Sequence, residues 1–457
     1  MNNAVIIGAG PSGLAAGYCL ASNNITPLVL EKDSQVGGMS KTIKYKNYRF
    51  DIGGHRFFTD LEEVGAFWNE ILEDKLIKKT RLSRIYYKNK FFNYPLDPAD
   101  TIKNVGVLNA LKIAFSYLKS QCSRKKEIVT FEDYIIKHFG RKLFEIFFKT
   151  YTEKTWGMRC TEISCDWAQQ RIRGLSAISA ITTTIVPGQN NTIRTLVKEF
   201  YYPTLGPGMM YEKIAQNIDN MRGEIKTGIK IVKLLHNSKN ILCAIGKDAS
   251  GNYEEFDSDI FISSAPITEV VQMLSPAPPP DIIKASNELK YRNLLIVNLV
   301  CAEKDIFPDQ WIYIHSPEVK LCRIQNYKNW SPYMIPLIDK TTLGLEYFCS
   351  EEDAIWNMQD KDLIALAQGE LKRIGFKATA EDSFVYRVPK AYPVYTLGYH
   401  KPLNIIMDYL MQFDNLEIVG RSGRFRYDNM DGAIASGMSA SKNIIERQKR
   451  KTQFLVV

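Results

Sequence analysis

The sequence predicts an α/β fold: a discontinuous Rossmann-like domain into which a mainly helical unit and an antiparallel sheet are inserted. Three observations predict it. The chain opens on a strand, glycine turn and helix at residues 4–17. Alternating α/β texture returns at residues 220–270, and again at Leu416-Glu-Ile-Val-Gly-Arg421 with the small-residue helix expected over Asp431–Glu446. Between these stretches lie two different textures. Apolar residues recur at helical spacing through Asp60–Ile77, Val105–Ser120 and Thr130–Tyr151, whereas residues 285–350 are rich in β-branched and aromatic side chains. A chain of 457 residues exceeds one ordinary core. The expected division is residues 1–75, 205–280 and 396–457 for the Rossmann-like domain, 76–185 for the helical part, and 186–204 with 281–395 for the sheet.

The opening unit reads Ala-Val-Ile-Ile-Gly-Ala-Gly-Pro-Ser-Gly, so that an apolar strand runs into Gly8-x-Gly10-x-x-Gly13 and then a helix. A second apolar run, Pro27–Leu30, ends in Glu31. Gly8 permits the tight turn, Gly10 lets backbone approach a pyrophosphate, and Gly13 lets the helix pack close to the sheet. The helix N-terminus faces the phosphates, and Glu31 is placed to accept from a ribose hydroxyl. Together these point to a dinucleotide.

Composition bounds the partners. Apolar content of 45% and charged content of 24% describe a globular protein. The net charge of +9 is a mild excess of 59 basic over 50 acidic residues. It suits an anionic substrate and, with basic runs confined to Arg124–Lys126 and Arg447–Lys451, argues against nucleic acid. The eight cysteines include no Cys-x-x-Cys, so free thiols in a reducing compartment are expected and no metal site is. With the fingerprint beginning at residue 8, no cleavable leader is expected, and the protein reads as cytoplasmic. The apolar stretch Val105–Leu118 contains Asn109, Lys112 and Ser116 and is too short to span a bilayer. It is expected to be an amphipathic core helix, in preference to a membrane contact.

Further glycines favour FAD over NAD. Val36-Gly37-Gly38-Met39-Ser40 follows Glu31, and Phe50-Asp51-Ile52-Gly53-Gly54-His55 follows that. Each Gly-Gly lets backbone pass close to a large flat ligand. Near the C-terminus, Gly420-Arg421 and the segment from Tyr427 lead into a helix whose N-terminus faces a second anionic centre, as a reduced flavin would be. The expected cofactor set is Gly8, Gly10, Pro11, Ser12, Gly13, Glu31, Lys32, Gly37, Gly38, Met39, Ser40, Gly53, Gly54, His55, Gly420, Arg421, Asn429 and Met430. Arg323 lies in an aromatic sheet, where a lone charge is costly. A ligand anion is the favoured compensation, ahead of a buried acid.

These blocks resemble the glutathione-reductase-like flavoproteins, which include amine oxidases, protoporphyrinogen oxidase and UDP-galactopyranose mutase. The middle of the chain is most similar to the mutase. Tyr151-Thr-Glu-Lys-Thr-Trp156-Gly157 matches that family's Tyr-Thr-Glu-Lys-x-Trp-Gly, and Tyr86–Pro95 resembles its hairpin beside the sugar. Cys322-Arg323-Ile324, Tyr392-Pro393-Val394 and Gly420-Arg421 through Tyr427 and Met430 follow in the family's order. The resemblance implies a nucleotide-sugar mutase that interconverts pyranose and furanose through an adduct of reduced flavin N5 with the sugar, in surface-polysaccharide synthesis. It implies FAD in its reduced form, with NAD(P)H as a candidate reductant, and a homodimer as one state. By this resemblance Arg323 takes the diphosphate, Tyr392 and Tyr427 hydrogen-bond the phosphates, and Tyr151 and Trp156 flank flavin and sugar. The alternative is an FAD-dependent oxidoreductase of the protoporphyrinogen oxidase or amine oxidase type. Some positions depart from the mutase pattern. Leu175 stands where the lid arginine is expected, leaving Arg171 or Arg173 as substitutes. Phe58 replaces a histidine, and Ile178–Thr184 with Pro187–Thr192 replaces the uridine-binding stretch.

Overall fold

The computed structural model describes residues 3–122, 127–172 and 198–455. Five strands from four separated stretches build a parallel sheet in the order Leu416–Ile418, Phe261–Ser263, Asn3–Ile7, Thr26–Glu31, Glu224–Thr227. Its centre is apolar on both faces, as parallel strands covered by helices must be. Ala4, Ile6, Leu14, Val29, Ile214 and Ile434 are fully buried in one core that joins strand, first helix and the C-terminal helix Met430–Leu455. The first helix, Pro11–Ala21, packs on that long helix and on Gly208–Asn220. The mixed α/β class with a discontinuous Rossmann-like domain is therefore what the chain forms.

A seven-stranded sheet supplies the other wall. Its order is Ala380–Val394, Lys290–Cys301, Thr341–Cys349, Arg323–Asn326, Trp311–Ile314, Ser83–Tyr87, Lys90–Asn93. All pairings are antiparallel except Trp311–Ile314 with Ser83–Tyr87. The hairpin Ser83–Asn93, expected within the helical part, thus forms the edge of this sheet. The strand Glu199–Pro203 pairs instead with Leu76–Thr80 in a small sheet of its own.

The helical part differs from expectation in one respect. The stretch Val105–Leu118 was expected to bury an apolar face. Helix Val107–Cys122 buries none of its residues, because its apolar stripe points away from the protein. Further on, the segment before Trp156 is a π-helical turn, Phe144–Lys149, running into helix Thr150–Trp156. Arg171 falls at the end of helix Cys165–Ile172, and Arg173, Ile178–Thr184 and Pro187–Thr192 lie outside the described residues.

Candidate active site

A cavity of about 630 Å³ runs from the glycine fingerprint to the seven-stranded sheet. At its first end it is lined by Gly8, Gly10, Pro11, Ser12, Glu31, Lys32, Gly38, Met39 and Ser40. Gly13 is not a lining residue; a Cβ there would run into the Gly8 carbonyl oxygen, so its role is close packing of helix on turn. Gly10 is the opposite case. The nearest atom to a Cβ there would be Gly38 Cα at 3.9 Å, so the cavity, not the fold, excludes a side chain. Glu31 is held at the strand end by two backbone amides: Ala9 N–H donates to Oε2 at 2.7 Å and Asp33 N–H to Oε1 at 3.0 Å. Burial raises its pKa, and those amides act in the opposite direction.

The second Gly-Gly has a structural cause that the sequence did not disclose. Gly53 takes φ +85°, and a Cβ on it would lie 3.5 Å from Arg323 Nη2 and 3.7 Å from Glu346 Oε1. A Cβ on Gly54 would meet the Trp330 ring at 2.9 Å. The turn is therefore pressed onto a polar cluster in the sheet. Arg323 Nε donates to Glu346 Oε2 at 2.7 Å and Nη2 donates to the same oxygen. Gln325 Nε2 donates to Glu346 Oε1 at 2.7 Å, and Gln325 Oε1 accepts from Trp330 Nε1 at 3.2 Å. Glu346 is fully buried, and Arg323 keeps 18% of its side chain exposed at the cavity wall. This corrects the favoured expectation for Arg323: a buried acid, Glu346, compensates its charge. Glu346 was missed by sequence reasoning, although a lone acid in Leu343-Gly-Leu-Glu-Tyr-Phe-Cys349 is a signal, since a buried carboxylate needs a cation.

Two more expectations change. Tyr151 and Trp156 do not line the cavity. Tyr151 stacks on His315 at 4.5 Å and meets Tyr313, which does line it, edge-on at 5.7 Å. Trp156 is 4% exposed in an apolar core and supports Tyr392 and Tyr427 edge-on from 6.5 and 6.1 Å. Both residues act from behind the wall because the helix that carries them is packed under the sheet. The rest of their motif is structural too. Lys154 Nζ reaches the carbonyls of Ile314 and Leu321, each at 2.7 Å, and those of Ser316 and Val319 at 3.2 and 3.3 Å. Glu153 Oε1 accepts from Cys160 N–H at 3.2 Å.

Tyr392, Tyr427, Arg323, Arg421, Gly53, Gly54, His55, Asn429 and Met430 all line the cavity, whereas Gly37 and Gly420 do not. Arg56, Phe58, Trp311, Gln325 and Trp330 are also among its lining residues. Arg421 lies against both phenols, its guanidinium carbon 4.3 Å from the Tyr392 ring centre and 4.2 Å from that of Tyr427. Its Nε and Nη2 are buried and have no hydrogen-bond partner among the described residues. Burial lowers the His55 pKa to about 4, with the Arg323 and Arg421 charges adding to it, so the ring is neutral near pH 7.

Residues 6–71 match a family described as an NAD(P)-binding Rossmann-like domain. The chain is 26% identical over 169 residues to the Klebsiella pneumoniae protein named "Probable UDP-galactopyranose mutase", covering 35% of this chain and 42% of that one. It is 27% identical over 174 residues to dTDP-fucopyranose mutase of Escherichia coli, covering 36% and 44% respectively. These matches span less than half the length of the two relatives. The fold is that of a reduced UDP-galactopyranose mutase, whose crystal structure superposes with a TM-score of 0.83 at 19% identity, over 97% of this chain and 94% of that one. In class, then, residues 6–71 match an NAD(P)-binding Rossmann-like domain, and the chain as a whole has the fold of that mutase structure. Among proteins of that architecture, it is similar in sequence to two sugar-nucleotide mutases, both of them named as enzymes.

Proposed function

We propose that the protein is an FAD-dependent mutase that interconverts the pyranose and furanose forms of a nucleotide sugar, in the cytoplasm, for surface-polysaccharide synthesis. The observation that carries the reading is Arg421: a guanidinium on a cavity wall, lying against two phenols, with two buried nitrogens unmatched among the described residues. Buried N–H groups of a cation call for acceptor oxygens, and an anionic ligand is the natural source. The residues at the first end fit FAD, since Gly10 leaves room for a pyrophosphate and Glu31 is fixed at the rim. When bound and reduced, flavin supplies covalent catalysis that lets a sugar ring open and close with no net oxidation.

The chain's own residues do the remaining work. Arg421 and the hydroxyls of Tyr392 and Tyr427 bind the diphosphate, and the sugar is thereby oriented toward Gly53–His55. Neutral His55 adds no competing charge. Trp156 and Tyr151 hold Tyr392, Tyr427 and Tyr313 in position from behind. Arg323, tied to Glu346, shapes the wall and presents its exposed edge to the ligand. A second reading, an FAD-dependent oxidoreductase, draws support from the Arg323–Glu346 pair, which neutralises one of the cations on the cavity wall.

Binding separates the two. FAD-loaded protein, oxidised and reduced, is titrated with UDP, dTDP, GDP and a porphyrin. Nucleoside diphosphates should bind, and Arg421→Ala should weaken them by about ten- to a hundredfold, the value of charge-assisted hydrogen bonds of roughly 1.5–3 kcal/mol. Preference for the porphyrin, or unchanged diphosphate affinity in the variant, would favour the oxidoreductase.

A further inference from the structure

Helix Val107–Cys122 presents to solvent the face that a globular helix normally hides. Its partly covered side consists of Ala110, Ile113, Ser116, Tyr117 and Ser120. On the opposite side Val107, Leu108, Leu111, Phe115 and Leu118 are between 61% and 77% exposed. At the α-helical period these five fall in one arc about 100° wide. Ile102, at 46% exposure in the preceding helix Pro98–Val105, extends the apolar surface. Contiguous exposed apolar surface of this kind marks an interaction site.

The charges carried by the helix itself are of one sign. From Thr101 to Cys122 the chain holds Lys103, Lys112 and Lys119 and no acid. None of the three lysines has an ion-pair partner among the described residues. Lys112 and Lys119 sit side by side along one border of the arc, where long side chains carry their charge outward past an apolar surface.

We propose that this face docks on an anionic lipid surface. The helix, about 24 Å long, lies flat in the interface with its apolar arc at the acyl boundary and Lys112 and Lys119 among the phosphates. Charge decides against a second copy of the chain as the occupant. A two-fold contact would set this unpaired basic rim against itself, whereas acidic phospholipid supplies the opposite sign. Among the described residues no helix is long and apolar enough to cross a membrane, so the contact is peripheral.

The test is co-sedimentation of FAD-loaded, full-length protein with vesicles of phosphatidylcholine alone or with phosphatidylglycerol added, at low and high salt. Light scattering and melting temperature are measured on the same samples. The parent should bind the phosphatidylglycerol vesicles and bind less at high salt. Leu111→Glu with Phe115→Glu should lower binding at least about tenfold. FAD occupancy and melting temperature should not change, since both side chains already face solvent. Lys112→Glu with Lys119→Glu should remove the preference for the anionic lipid. Failure of the parent to bind phosphatidylglycerol vesicles would overturn the proposal. So would a concentration-dependent dimer dispersed by the Leu111 and Phe115 changes, which would assign the face to a second copy. A fall in melting temperature in that variant would also overturn it, because another part of the chain would then cover the face.

Discussion

The two ends of the cavity are built on different principles. At the fingerprint end, neighbours in sequence are neighbours in space: Gly8, Gly10, Gly13 and Glu31 belong to one strand–helix–strand unit. Glycines there leave backbone bare along the cavity, so the residue types state their purpose. At the sheet end, Gly53, Arg323, Gln325, Trp330 and Glu346 meet from three separated segments, and side chains bind one another. Local spacing carries the first arrangement and has no access to the second. The practical lesson is that a cation seen in sequence is half of a statement, because its partner lies on another strand.

The sharpest way to break this contrast is to separate the Arg323–Glu346 pair. Either Arg323→Ala or Glu346→Leu leaves one buried charge alone and should cost roughly 3–5 kcal/mol of stability, read by denaturant unfolding. The double replacement Arg323→Leu with Glu346→Leu should recover most of that loss, a coupling that a double-mutant cycle measures directly. An Arg323→Ala protein of parental stability with weakened diphosphate binding would restore Arg323 as a free anion anchor.

At the other end the effect should fall on the cofactor. Gly10→Val keeps the fold, since nothing lies within 3.9 Å of its Cβ position, but fills the cavity. FAD should be lost, with occupancy read from the visible spectrum and at least about a hundredfold loss of affinity, near 2.7 kcal/mol. Gly13→Ala, by contrast, meets the Gly8 carbonyl oxygen and should damage folding itself. Equal behaviour of the two variants would erase the distinction between a binding glycine and a packing glycine.

Lys154→Met tests whether the most distinctive sequence block is architecture. Losing its bonds to the carbonyls around Ile314–Leu321 should cost roughly 2 kcal/mol and leave diphosphate affinity per folded molecule unchanged. A specific loss of affinity at parental stability would return Lys154 to the chemistry.

A smaller, pH-dependent effect belongs to Asp51, which precedes the second Gly-Gly. Burial raises its pKa to about 7, although the Tyr202 and Thr42 hydroxyls donate to it. A carboxyl with a folded pKa above its unfolded value of about 3.9 binds more protons when folded, so its stabilising share is present in acid and lost as pH rises toward 7. The parent should lose up to about 1.4 kcal/mol per pH unit across that window relative to Asp51→Asn. Parallel melting-temperature profiles for the two proteins from pH 4 to 8 would show that Asp51 does not titrate there.

Much of the fold could be read from periodicity and glycine spacing. The parallel sheet, the discontinuous assembly and the antiparallel wall follow from local pattern, which burial then enforces. Helix Val107–Cys122 shows where that reasoning stops: its amphipathic pattern was legible, but which way the stripe faces is decided by neighbours. Tyr151 and Trp156 teach the same about the site. Their block was recognisable, yet only the packed structure shows that they support the wall from behind while Tyr313, Tyr392 and Tyr427 form it.

The measurement that tests the mutase reading most directly follows ring form and electrons together. FAD-loaded enzyme, reduced with dithionite, is given a panel of nucleotide sugars, and the pyranose-to-furanose ratio is recorded beside reductant consumed and oxygen taken up. A pyranose–furanose mixture should form from at least one nucleotide sugar with the reduced enzyme alone, at many turnovers per equivalent of reductant. Oxidised product formed in step with oxygen uptake, with every sugar left in its starting ring form, would contradict a mutase.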